Sequence, residues 1–101
     1  MIIYNVTTHV AHAIAADWLA WLGEVHVQQV MATKCFTGYK IMRLLEIDES
    51  EGPTYAIQYF AESKSDYNRY LEIHAAALRQ QNVDKWGDNF VAFRTLMQIV
   101  A

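Results

Sequence analysis

The chain has 101 residues, 53% of them apolar and 19% charged, and its eight Lys and Arg against eleven Asp and Glu leave a net charge of −3. This composition excludes a disordered segment, and one domain over residues 1–101 accounts for the length. An acidic chain without a basic stripe lacks the phosphate-neutralising surface that nucleic-acid binding draws on. No apolar run approaches the roughly 20 residues needed to span a bilayer, so no membrane partner is expected.

Met1 to Val10 alternates, with Ile2, Tyr4, Val6 and Val10 on one side and Ile3, Asn5, Thr7 and His9 on the other, which predicts a strand. From His12 to Met31 the apolar positions Ile14, Trp18, Trp21, Leu22 and Val25 recur at three- and four-residue steps. Asp17, Glu24 and Gln28 take the opposite face, so the spacing predicts a helix. Gly38 to Asp48 reads as a second strand. It is followed by the acidic turn Glu49-Ser50-Glu51-Gly52 and, after Pro53, by a third strand over Thr54 to Glu62. Ser63-Lys64-Ser65-Asp66 supplies capping side chains for a second helix, marked by Tyr67, Tyr70, Leu71, His74 and Leu78 and ending before Gly87. Asn89 to Val100 is the last strand. The order β-α-β-β-α-β predicts an α+β, ferredoxin-like domain with a four-stranded antiparallel sheet and two helices on one face.

In such a fold the second sheet face is left open, yet both faces of the later strands read as apolar. Tyr39, Ile41, Leu45 and Ile47 oppose Met42 and Leu44 in strand two, and Phe90, Ala92 and Leu96 oppose Val91, Phe93, Met97 and Ile99 in strand four. A second copy packed sheet to sheet would cover that face, which predicts a homodimer, a dimeric α+β barrel.

Two histidines fall on the buried stripes. His26 lies between Leu22 and Val30, and its place on the flank of helix one suits a cavity wall. His74 stands four residues after Tyr70 and four before Leu78, in the middle of the stripe of helix two. Either imidazole can serve as acid, base or ligand near neutral pH, or simply sit as a hydrogen-bonded core residue. Asn5, Arg43, Gln58 and Arg94 are mid-strand polar residues that can orient a carboxylate or other small anion, or form a polar network in a dimer interface. Tyr39 and Tyr59 complete the candidate ligand-binding set, as walls of an aromatic pocket.

His9 and His12 have no third ligand nearby, and Glu46, Asp48, Glu49 and Glu51 lack calcium-loop spacing, so no metal is expected. Cys35 is the only cysteine and reads as a small buried hydrophobe, which fits a reducing, cytoplasmic setting. No positive segment precedes Met1-Ile2-Ile3, and no secretory signal is expected. Nucleophile elbows, phosphate-cradling loops and dinucleotide fingerprints are absent.

Several segments together resemble a small bacterial family without assigned activity, domain-of-unknown-function family 4286. They are Met1-Ile2-Ile3-Tyr4-Asn5-Val6-Thr7, Trp18-x-x-Trp21, Glu24-Val25-His26, Thr33-x-x-Phe36, Thr54-Tyr55-Ala56-Ile57-Gln58-Tyr59, Asp66-Tyr67 and Phe90-Val91-Ala92-Phe93-Arg94-Thr95. The likeness runs almost end to end. It departs at Val27-Gln28, where the family pattern has isoleucine-proline, and at Lys34, where it has glycine, both at the end of helix one. The resemblance implies a dimeric ferredoxin-like domain and gives no reaction.

A looser likeness is to the dimeric α+β barrel superfamily of cofactor-independent monooxygenases and haem-degrading enzymes. There Asn5 and His74 match, by element, an Asn on the first strand and a His on the second helix. The third-strand Trp of the haem degraders is missing, since Tyr55 and Tyr59 stand in its strand. The reading that follows is a cytoplasmic homodimeric domain without a cofactor, binding a small molecule or a protein partner and not catalytic. The alternative is a cofactor-independent or haem-dependent monooxygenase in which His74, His26 and Asn5 are the catalytic candidates.

Overall fold

In the computed structural model, which describes Met1–Ala101, the alternation of β1 (Ile2–Val10) sets the layers. Ile2, Tyr4, Thr8 and Val10 are buried against the helices, and Ile3, Thr7 and His9 turn to the other side. β1 is flanked by β3 (Thr54–Ala61) and β4 (Phe90–Gln98), and β2 (Gly38–Arg43) pairs with β3. The sheet order is β2-β3-β1-β4, with every neighbouring pair antiparallel. Between β1 and β2 run a short 3-10 turn (His12–Ile14), α1 (Ala15–Trp21), a π-helical turn (Leu22–His26) and α2 (Val27–Ala32). Between β3 and β4 run α3 (Lys64–Tyr70), a second π-helical turn (Leu71–Ala75) and α4 (Ala76–Trp86). This is the ferredoxin-like α+β fold anticipated from the element order. No helix is long and apolar enough to cross a membrane.

The core is the layer between helices and sheet. Trp18, Val27 and Val30 from the first helical segment pack against Val10 and Ile57, all essentially without exposure. Burying each such side chain stabilises the fold by about 1.5–3 kcal/mol. Beside them an aromatic cluster forms around Tyr4, whose ring lies 6.0 Å from Tyr59, 5.8 Å from Tyr70 and 6.1 Å from Phe36. Ser63 caps α3 by accepting the Asp66 N–H at 3.3 Å, and Gly87 (φ 62°) ends α4 with its N–H on the Val83 carbonyl at 2.8 Å.

Three expectations need correction. β2 ends at Arg43 and not at Asp48. Glu46 takes a positive φ of 58°, and the Asp48 carboxylate accepts the Ser50 N–H at 2.8 Å, so the chain is already turning where the apolar alternation still continued. Leu45 is 78% exposed as a result. The turn closes at Gly52 (φ 136°), where a Cβ would stand 1.9 Å from the Val10 carbonyl oxygen.

Each helix, moreover, is interrupted by one π turn. The Val27 N–H bonds the Leu22 carbonyl, five residues back, and the buried series steps from Leu22 to Val27 and from Tyr70 to Ala75. His74 is therefore not in the middle of the buried stripe. Ala75 takes that place, His74 is half-buried with its ring 6.4 Å from Tyr70, and Val25 is exposed.

The open sheet face, finally, is not uniformly apolar. The strand register lines up Lys40, Gln58, Asn5 and Thr95 in one polar row across all four strands. Phe60, Ile3 and Met97 form an apolar row on one side of it, and Met42, Ala56, Thr7 and Phe93 a mostly apolar row on the other. Asn5 is buried within this face, and its side-chain amide donates to Thr7 Oγ1 at 2.9 Å.

Candidate functional site

Residues of β1, β3 and β4 that face the helices enclose a cavity of about 30 Å³, partly open to solvent, with the helical segments as its roof. Val6 and Thr8 come from β1, Ile57 and Tyr59 from β3, and Ala92 and Arg94 from β4. Trp18, Leu22 and His26 descend from the first helical segment, and Tyr70, Arg79 and Asn82 from the second. That volume has room for one or two water molecules.

The polar atoms around the cavity are its distinctive feature. Trp18 Nε1, His26 Nδ1, Arg79 Nε and Asn82 Oδ1 are buried without any hydrogen-bond partner, and all four residues line it. The first π turn places His26, because the residue inserted there moves the imidazole off the stripe now held by Leu22 and Val27 and onto the flank. Its ring stacks on Trp21, with centroids 5.1 Å apart and planes 28° apart. Arg79 donates to the Tyr4 hydroxyl at 3.0 Å through Nη2, which fixes the guanidinium and leaves Nε free. Arg94 stands on the edge strand, exposed, and forms no ion pair. No Asp or Glu lines the cavity.

This arrangement sets the protonation states. Burial, with the Arg94 charge adding to it, lowers the His26 pKa to about 4, so the imidazole is neutral near pH 7. Burial raises the Tyr59 and Tyr70 hydroxyls above their ordinary range, which keeps them as neutral donors. A chain of net charge −3 therefore holds a locally cationic pocket of two guanidinium groups, a neutral imidazole and an indole N–H.

Of the residues singled out in the sequence, His26, Tyr59 and Arg94 meet at this cavity. Tyr39 and Arg43 share the helix-side face but lie on β2, outside the cavity wall, and Arg43 is committed to Glu49 at 2.8 Å across the hairpin. Asn5 and Gln58 are opposite each other in the register on the other face of the sheet. His74 does not line the cavity and makes no side-chain hydrogen bond. Sequence reasoning missed Arg79 and Asn82; Trp18, a core residue, also lines the cavity. A signal existed: continuing the buried series Ala75, Leu78 by helical steps of four lands on Arg79 and Asn82. No group of three or more His, Cys, Asp or Glu side chains is placed to hold a metal ion.

A family model described as a domain of unknown function, DUF4286, matches residues 1–100. No curated protein matches the chain. Among solved structures it is similar to a dimeric ferredoxin-like protein from an uncultured marine organism (TM-score 0.74, 13% identity, 100% of this chain and 96% of that one). It is also similar to SnoaB, a cofactor-independent oxygenase from Streptomyces nogalater (TM-score 0.69, 10% identity, 97% and 92%). A third is MhuD with two manganese protoporphyrin IX molecules bound per active site (TM-score 0.71, 12% identity, 100% and 96%). At these identities the likeness is one of fold. The cavity as it stands, about 30 Å³, is too small to enclose a porphyrin ring.

Proposed function

The chain belongs to the DUF4286 family of domains of unknown function, and from that premise we propose that it binds a small molecule in the cavity between sheet and helices, without a cofactor. The observation that carries this reading is that four of the six unpartnered buried polar atoms belong to residues lining one cavity. Buried donors and acceptors are nearly always paired in folded proteins, and a cluster of orphans around a void marks a place where an occupant supplies the partners. The test is an NMR titration with a panel of small polar molecules, following the Trp18 indole N–H and the Leu22 and Ile57 methyl groups. Binding is expected to shift these signals together and to saturate. A panel that leaves all three unmoved removes the reading.

The second part of the proposal is a homodimer formed through the open sheet face. The apolar rows led by Phe60, Ile3 and Met97 and by Met42 and Phe93 support it, as does the dimeric state in the name of the marine ferredoxin-like neighbour. The polar row of Lys40, Gln58, Asn5 and Thr95 would then set the register between copies. Sedimentation at tens of micromolar tests this, and a well-folded monomer at that concentration refutes it. The single buried Cys35 supports a reducing, cytoplasmic location.

One observation favours a second reading, a cofactor-independent oxygenase. His26 lines the cavity with Nδ1 unpartnered, so in the Nε2–H tautomer it can accept a hydrogen bond from a bound substrate, although its lowered pKa makes it a weak base. Oxygen consumption in the presence of an electron-rich phenol, lost in His26→Gln, would put this reading ahead of simple binding.

A further inference from the structure

We infer that the occupant of this cavity is the carboxylate group of a small organic acid, held between Arg79 and Arg94 and donated to by the Trp18 indole N–H. The inference rests on the proposed binding role of the cavity and names the chemistry of its ligand.

The donor set is the first argument. Trp18 Nε1 and Arg79 Nε carry hydrogens with no acceptor, and Trp18 is only 1% exposed, so water outside the cavity does not satisfy it. His26 Nδ1 is a third site, a donor or an acceptor according to tautomer. Asn82 Oδ1 is the one orphaned acceptor of the set, and a half-turn of its amide presents Nδ2–H₂ in its place. With the amide so turned, an occupant must offer several acceptor lone pairs in a small space. A carboxylate has about four lone-pair sites on two oxygens and fits the planar guanidinium fork.

Charge is the second argument. Two guanidinium groups share the lining with no Asp or Glu. Arg69 and Arg43 elsewhere in the chain have carboxylate partners in Asp66 and Glu49, whereas Arg79 and Arg94 have none. Arg79 Nε is buried without an acceptor, which an anion would supply, and the exposed Arg94 adds its attraction at the mouth. The His26 imidazole, already neutral, adds no competing charge.

Size and access are the third. A cavity of about 30 Å³ admits a two-oxygen headgroup and little else. Because Arg94 is exposed on an edge strand, the remainder of an acid has a way out past its side chain. Small acids with a short tail suit such a site.

The test titrates the full-length protein with acetate and propionate, with acetamide and propionamide as neutral counterparts and chloride as a bare anion. The Trp18 indole N–H resonance is the readout. With so few heavy atoms, ligand efficiency limits the dissociation constant to tens of micromolar or weaker for acetate and to about micromolar or weaker for propionate. The two carboxylates are expected to move the resonance saturably in that range up to about ten millimolar, and the amides and chloride to leave it in place. Arg94→Gln, at an exposed site, should fold with an unchanged melting temperature and weaken carboxylate binding by about tenfold or more. Lys64→Gln, exposed at the start of α3 and outside the cavity lining, should weaken it by less than about twofold.

Amides binding as well as carboxylates would overturn the anionic assignment and leave the small-molecule reading standing. Equal loss in Arg94→Gln and Lys64→Gln would also overturn it, as that pattern reports overall charge and not a site. No movement with any probe would remove both the inference and the reading under it.

Discussion

Acidification should destabilise this protein through His26 before its carboxylates begin to titrate. The imidazole has a pKa of about 4 in the folded state against an ordinary 6.5, because burial and the Arg94 charge oppose its protonation. The unfolded chain therefore binds one more proton than the folded one between those two values, and stability rises with pH across that window. His26 exerts its full effect above about pH 6.5, and the stabilisation is lost as pH falls toward 4. From pH 7 to about pH 5 the linkage amounts to about 2 kcal/mol, at 1.36 kcal/mol per pKa unit. For a domain near 100 residues that is a fall in melting temperature of roughly 10 °C. The assay is urea unfolding at a series of pH values in buffers free of carboxylates, comparing wild type with His26→Gln. The variant lacks the titrating group, so its curve should be flatter than that of wild type by about 2 kcal/mol over this interval. Other groups cancel in the comparison: Arg79, Arg94, Tyr59 and Tyr70 face the cavity in both proteins, and no carboxylate lines it. Parallel pH profiles for the two proteins would refute the account of His26 as a buried neutral imidazole.

Four shorter predictions follow from other parts of the chain. Gly52→Ala places a Cβ against the Val10 carbonyl at a φ that L residues rarely adopt, and should cost roughly 2–4 kcal/mol in urea unfolding. Lys34 holds a left-handed φ of 63° where the family pattern has glycine, so Lys34→Gly should raise stability by roughly 0.5–1 kcal/mol. Phe93→Glu on the open sheet face should weaken self-association by about tenfold or more in sedimentation, while Arg94→Glu, on the opposite face, should not. His74→Gln should shift the melting temperature by no more than a few degrees and leave carboxylate binding unaltered, because His74 makes no side-chain hydrogen bond and lies outside the cavity wall.

The period of the apolar residues made the strands and their order legible. Ile2, Tyr4 and Val10 alternate with Ile3, Asn5 and His9, and that alternation alone assigns the two faces of β1. The hairpin tip was less legible, because Leu44, Leu45 and Ile47 continue an apolar pattern after the backbone has begun to turn at Glu46. The π turns were hidden by a competing pattern. Leu22 to Val25 and Tyr70 to His74 are ordinary helical steps, while the steps the structure uses, Leu22 to Val27 and Tyr70 to Ala75, span five residues. A stripe read only at three and four residues still assigns His26 to the helix flank as a cavity wall, where the structure has it, but assigns His74 to the middle of the stripe, whereas the π turn puts it outside the cluster. Strand register decided the remaining site residues. Arg94 and Gln58 both looked like mid-strand polar residues among apolar neighbours, and only the pairing of Val6 with Arg94 and of Asn5 with Gln58 assigns them to opposite faces.

The unpartnered atoms also bear on why the cavity exists at all. A buried polar group without a partner costs about 1–3 kcal/mol, so four of them approach the entire stability of a domain this size, about 5–15 kcal/mol. Apolar residues of similar volume at Arg79 and Asn82 would remove the penalty and extend the core that Ala75 and Leu78 begin. Both positions nevertheless carry long polar side chains, and Tyr4 spends its hydroxyl on holding Arg79 in place. Such groups call for hydrogen-bond partners from inside the cavity, a water or a ligand. Places where a sequence departs from its own packing rules are commonly places of function. Replacing the pair together, Arg79→Met with Asn82→Leu, should accordingly raise the melting temperature, since the removal of two orphaned groups and the filling of the void outweigh the one Tyr4 hydroxyl bond that is lost. The same change should abolish carboxylate binding. A double variant that is less stable than wild type would mean that Arg79 and Asn82 are structural, held by the Tyr4 bond and by ordered water, and that the cavity is a by-product of their packing.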